Sequence, residues 1–128
     1  MKVVLGASAI AKLFFPEGGS ELVERLLGKD IVVPSLARYE IGNLFWKRVS
    51  RGEIKEEEAL RGWELFERLL KRWTVRDVPC LKVSLKCGIT CYDASYVELT
   101  LREGAKLLTF DERLKKALRA CKLDRVLL

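Results

Sequence analysis

Histidine is missing from all 128 residues. Its absence excludes Ser-His-Asp and Cys-His catalysis and any histidine-bound zinc. Cysteine is sparse, with four residues at 80, 87, 91 and 121. Cys87 and Cys91 stand four apart and the others are distant, so the paired C-x-x-C spacing of a zinc module is missing too. Such thiols read as buried and reduced. A disulfide is expected only in a chain from a hyperthermophile, towards which the richness in Lys, Glu and Arg leans. No apolar run approaches the roughly 20 residues that span a bilayer. Only Lys2 precedes the apolar stretch at Val3, and no small-residue cleavage site follows it. That stretch is expected to be the first strand of a cytoplasmic protein and not a leader.

The composition that remains is that of a folded chain, 49% hydrophobic and 33% charged, expected to form a single domain over residues 1–128 with one core. The net charge of +6 suits a polyanion such as RNA or DNA, or an acidic partner protein. A solvated basic surface is the plainer explanation of the same number.

Along the chain, Lys2–Leu5 is a short β-branched run bounded by Gly6. "ASAIAKLFF" has helical spacing and stops at Pro16, "EGGS" is a turn, and Ser20 is placed to cap "ELVERLL". "IVV" (31–33) is a second strand, and Pro34 and Ser35 mark a helix start. Leu36, Ala37, Ile41, Leu44, Phe45 and Val49 form one stripe of that helix. Arg51-Gly52 turns the chain into the longest helix, over 53–73, acidic at its start and basic at its end as the helix dipole prefers. "TVRDVP" is a crossing, with a short helix near 81–85 and another over 89–104 stopped by Gly104. "KLLTF" is a strand, "DERLKKALRA" a helix and "RVLL" a last strand. Strands alternating with helices predict an α/β fold with a central, mostly parallel sheet flanked by helices.

Ligands of open parallel sheets gather outside the carboxyl ends of the strands. Asp111 follows "KLLTF", Glu40 lies beyond "IVV", and Asp93 opens the helix that leads to "KLLTF". Asp111 also suits an N-cap, and Thr90-Cys91-Tyr92-Asp93 reads as a capping box. Glu40 shares a face with Leu36 and Leu44 at a spacing of four. A carboxylate there needs a cation, a basic side chain or a wet cleft. Without histidine, clustered carboxylates favour Mg²⁺ or Mn²⁺, which assist phosphodiester hydrolysis.

The stretches "KVVLGASAIAKLF", "VPSLARYEIGNLFWK", "TCYDASYVELT" and "LLTFDERL", in this order and over nearly the whole chain, resemble the PIN-domain family and its VapC-type ribonuclease toxins. The resemblance implies a PIN-like three-layer α/β fold and Mg²⁺-dependent (or Mn²⁺-dependent) cleavage within RNA. It also implies a cognate antitoxin as partner and a homodimer. Glu40, Asp93 and Asp111 become the acids of the ion site, and Ser8 and Thr109 hydroxyls that orient them. In the family the first strand ends on an acid, and here that place is Gly6. The loss of that ligand predicts a weakened or inactive enzyme. A tight βα turn, or a phosphate loop lacking the G-x-G-x-x-G pattern, are other readings of the glycine.

Two further features carry two readings each. Arg113 and Lys116 belong to a basic run that is either a solvated helix face or a grip on RNA phosphates. Phe45, Trp46, Trp63, Phe66 and Trp73 are either packed core or in part a groove for a partner segment. The rival to the nuclease is a non-catalytic PIN-like module that binds RNA or protein. A weaker third reading is a nucleotide-binding module built on the Gly6 turn.

Overall fold

In the computed structural model, which describes all residues 1–128, Val3, Val4 and Leu5 have no exposed surface. Successive strand residues face opposite sides of a sheet, so this strand is covered on both faces, as parallel strands are. The elements are β1 (Lys2–Leu5), α1 (Ala7–Phe14), α2 (Ser20–Leu26), β2 (Asp30–Pro34), α3 (Leu36–Ser50), α4 (Glu56–Arg72) and β3 (Thr74–Arg76), then α5 (Leu81–Cys87), α6 (Cys91–Glu103), β4 (Lys106–Leu108), α7 (Glu112–Ala120) and a 3₁₀ turn at Asp124–Val126.

The sheet has the order β3-β2-β1-β4 and every pairing is parallel. From β1 the chain steps outward to β2 and β3, then returns past both to lay β4 on the other side of β1. The outward connections carry α1 to α4 and the return to β4 carries α5 and α6, with α7 following β4. The packing agrees: α1 meets α2 and α3, α3 meets α4, α5 meets α6 and α7, and α6 lies along β1, β2 and β4. The expected α/β fold with its parallel sheet is therefore present. One contiguous core of 28 buried residues holds the layers together. On the α1–α4 side it centres on Phe66, with Phe14, Trp63 and Trp73 around it at ring separations of 5.9, 5.6 and 6.4 Å.

Several local expectations are corrected. Ser20 does not cap α2. Gly19 holds that position at φ +98°, and a Cβ there would stand 2.5 Å from the Phe110 ring, so only glycine lets the turn pass beneath it. The helix start expected at Pro34 and Ser35 is present, with Pro34 closing β2 and Ser35 at the N-cap position of α3, its hydroxyl bonded to Asp77. The longest helix starts at Glu56, and Glu53 and Ile54 belong to the turn before it. "TVRDVP" contains a short edge strand, β3, that its composition did not announce. "RVLL" makes a 3₁₀ turn and a single bridge from Leu127 to Leu107, not a strand.

The cysteines also depart from expectation. Cys87 and Cys121 form a disulfide across 34 residues with their Cα atoms 5.2 Å apart, while Cys80 and Cys91 are free thiols. The bond ties the end of α5 to the residue after α7. A loop of this length stabilises a fold by roughly 2–4 kcal/mol, chiefly by constraining the unfolded chain. Denaturant titration with and without reductant tests this: reduction should lower stability by about that amount. Cys121→Ser should lose the same amount and no longer respond to reductant.

Candidate active site

The order of the sheet reverses between β1 and β4, and such a switch point opens a crevice at the carboxyl ends of the strands. Both strand ends are locked together there. Gly6 N–H donates to the Leu108 carbonyl at 2.9 Å. Ser8 Oγ accepts the Phe110 N–H at 2.9 Å and shares a 3.3 Å hydrogen bond with Thr109 Oγ1. Thr109 Oγ1 in turn accepts the Asp111 N–H at 3.1 Å. Ser8 and Thr109 thus brace the backbone that leads into Asp111.

Asp111 caps α7, its Oδ1 accepting the N–H groups of Arg113 and Leu114 at 3.0 and 3.2 Å. That cap accounts for one carboxylate oxygen and leaves Oδ2 without a donor. Asp93 sits in the first turn of α6, its N–H bonded to Thr90 Oγ1 at 3.1 Å. Asp111 is thus the N-cap of α7, whereas at α6 only the Thr90 half of the expected capping box is made, without a return bond from the Asp93 side chain. Asp93, Asp111 and Arg113 line a cleft of about 290 Å³ with Thr90 and Leu114. Lys116 is exposed on α7, one turn beyond Arg113.

Glu40 stands at the margin of α3. Leu36 and Leu44 on its face are only half-buried, and the fully buried stripe is Ala37, Ile41 and Phe45. Its partner is neither a cation nor a basic group. The Tyr96 hydroxyl of α6 donates to Glu40 Oε1 at 2.7 Å. Glu40 lines a second, wider groove of about 820 Å³ with Arg38, Tyr39, Trp46, Trp63 and Tyr92. The aromatic residues of α3 and α4 divide accordingly: Phe45 and Phe66 are core, whereas Trp46 is 63% exposed.

No group of three acids and thiols closes into a ready-made cage. The acids form a series instead, in which each feels the next. Desolvation by burial pushes Asp93 above the ordinary carboxylate range, the charge of Asp111 adds to that rise, and the Thr90 hydroxyl opposes it. Glu40 is raised in the same way, first by burial and then by Asp93, against the hydrogen bond from Tyr96. None of the chain's ion pairs includes Glu40, Asp93 or Asp111. Carboxylate oxygens without a basic partner are the ligand type that hard divalent cations take, and Mg²⁺ keeps several waters and needs only one or two carboxylates.

Residue 6 belongs to this crevice. Gly6 is extended, at φ −66° and ψ 163°, a conformation open to any residue. A Cβ there would lie 3.5 and 3.6 Å from Thr109 Cβ and Oγ1, and 3.2 Å from the Leu108 carbonyl, which must yield by a few tenths of an ångström. The turn does not require glycine for its dihedral angles. Its N–H is committed to Leu108, which removes it from any phosphate loop. Sequence reasoning missed Tyr96; the signal available was its spacing of three from Asp93.

Together these features define an α/β protein whose switch point carries an acidic cleft. The model of the PIN domain family matches residues 3–119, and the chain belongs to that family. It is 41% identical over 122 residues to ribonuclease VapC3 of Pyrobaculum aerophilum, covering 89% of this chain and 92% of that one. Identity to ribonuclease VapC1 of Mycobacterium tuberculosis is 30% over 118 residues, covering 89% of each. The crystal structure of PAE2754 from Pyrobaculum aerophilum matches with a TM-score of 0.72 over 98% of this chain and 95% of that one. At 23% identity, that match speaks to the fold alone.

The raised carboxyls give a signed pH dependence. A carboxyl whose folded value lies above its unfolded one contributes stability below the ordinary carboxylate range and loses it as pH rises through the raised value. Glu40→Gln keeps an acceptor for Tyr96 and removes the charge. In chelator, its melting temperature should exceed that of the parent at pH 7 and converge with it in acid below the ordinary carboxylate range. A Glu40→Gln protein no more stable than the parent at neutral pH would contradict the electrostatic account.

Proposed function

We propose that the chain is a metal-dependent ribonuclease that cuts within RNA, the toxin of a VapBC-type toxin–antitoxin pair. The observation that carries this reading is the cleft that Asp93 and Asp111 share at the switch point, with Glu40 in the groove beside it and none of the three in an ion pair. The names of the relatives, both ribonucleases, supply the substrate class.

Asp93 and Asp111, with Glu40 beside them, would hold Mg²⁺ or Mn²⁺. Such an ion, when bound, supplies a Lewis acid for a phosphate oxygen and makes a water a better nucleophile. The chain's own residues do the rest. Thr109 and Ser8 fix the backbone of Asp111, the carboxylates would orient the attacking water and accept its proton, and Arg113 lines the acid cleft where a phosphate would enter. Lys116 extends that grip along α7.

Gly6 stands where the resemblance places a fourth acid, so Asp93, Asp111 and Glu40 would hold the ion with one ligand fewer and activity would be impaired. The alternative is a PIN-like module that binds RNA or protein without cutting. The missing acid and the lack of a closed cage favour it. On the partner side, the groove between α3 and α4, with Tyr39, Trp46 and Leu60 exposed, suits an apolar antitoxin segment or a second copy of the chain. No helix is long and apolar enough to cross a membrane, and a cytoplasmic location is proposed with the toxin role.

RNA cleavage with Mg²⁺ by the parent chain and by Gly6→Asp tests the reading. The substitution should raise both ion affinity and cutting, and Asp93→Asn should abolish cutting in either background. RNA binding without cleavage in every variant would support the non-catalytic module instead. Arg113→Ala and Lys116→Ala should each weaken RNA binding and reduce the slope of log affinity against log salt by about 0.7, the value for one single-strand phosphate contact. Unchanged slopes would remove both residues from the RNA path.

A further inference from the structure

Tyr96 follows Asp93 by three residues, so both leave the same face of α6. Its ring is buried, with 3% of its surface exposed. An apolar pocket of this kind is satisfied by a phenylalanine. The hydroxyl is aimed instead at the one acid of α3, which lines the groove beside the Asp93–Asp111 cleft, and it donates to Glu40 Oε1 at 2.7 Å. Glu40 has no other partner: no Lys or Arg pairs with it, and Oε2 accepts no hydrogen bond. A glutamate arm with several free torsions loses entropy whenever it is held for a ligand. A buried phenol that already holds one oxygen makes that loss part of folding.

We propose that Tyr96 is a positioning residue for the ion site, pinning Oε1 of Glu40 so that Oε2 is the single oxygen this acid offers to a cation. Because the clamp lies on the helix that carries Asp93, it ties the acids of α3 and α6 into one register. Hydrogen bonds of this kind, made to the ligand and not to the metal, orient the ligand and are worth about 10–100-fold in metal affinity. The inference rests on reading Glu40 and Asp93 as ion ligands, and it concerns how they are held.

The test is Mn²⁺ binding, followed by the loss of the free-ion signal in electron paramagnetic resonance. Four proteins are compared: the parent, Tyr96→Phe, Glu40→Gln and the double variant, with melting curves in chelator alongside. Tyr96→Phe should fold and bind Mn²⁺ about tenfold more weakly, or worse. In the Glu40→Gln background the same substitution should change Mn²⁺ binding by less than about twofold, because the two side chains act as one unit. Equal Mn²⁺ affinity in the parent and Tyr96→Phe overturns the inference. So does an equal loss with and without Glu40, which would make Tyr96 a packing residue. A Tyr96→Phe protein that does not fold in chelator also overturns it, since the hydroxyl would then hold the fold and not the acid. A parent chain that binds no Mn²⁺ overturns the ion-site reading itself, and this inference with it.

Discussion

The return of β4 to the far side of β1 is the constraint from which the rest of this structure follows. It creates the switch point, and it is closed at the carboxyl ends by few bonds: Gly6 N–H to Leu108, and the Ser8 hydroxyl against Thr109 and Phe110. Those bonds set where Asp111 begins its helix. Because α6 must run antiparallel to the strands to feed β4, its first turn, with Asp93, arrives at the same edge. Because α3 leaves the end of β2 there, Glu40 arrives as well. Asp93 and Asp111, 18 positions apart, share one cleft through topology and not through any local motif, and Glu40 lines the groove beside it.

That meeting is electrostatically unfavourable in the free protein. Burial raises the proton affinity of Glu40 and Asp93, a neighbouring acid adds to each rise, and both carboxylates weigh against the fold once they ionise. A fold bears such a cost where function needs it. The stabilising elements lie elsewhere: a sheet covered on both faces, the aromatic cluster around Phe66, and the covalent tie from Cys87 to Cys121. The basic side chains are kept at the rim, with Arg113 beside the acid cleft but in no ion pair. This arrangement leaves the acids available to an incoming cation instead of neutralising them within the chain.

Much of this was legible in the residues, for physical reasons. Asp93 and Asp111 could be placed at the sheet's carboxyl edge because helix starts mark the junctions there. Glu40 stood out as a carboxylate at a spacing of four between leucines, though both leucines are only half-buried. Gly6 was conspicuous because the strand before it is apolar and the helix after it starts at once. What escaped depends on tertiary placement. β3 is three residues at a sheet edge, too short for any alternation to show. Ser20 looked like a cap, but Phe110 packs over the turn and hands the position to Gly19. The Cys87–Cys121 pair is invisible until α5 and α7 are neighbours, and Tyr96 reads as one more core aromatic until α3 supplies its acceptor.

The account stands or falls on whether the acidic edge attracts a divalent cation in this chain, with glycine at position 6. Anomalous scattering from crystals soaked in Mn²⁺ measures this directly. It should show a peak within coordination distance of the Asp93 and Asp111 carboxylates, on the Oε2 side of Glu40. A well-occupied soak with no peak at that edge, or with Mn²⁺ bound only elsewhere, would contradict it.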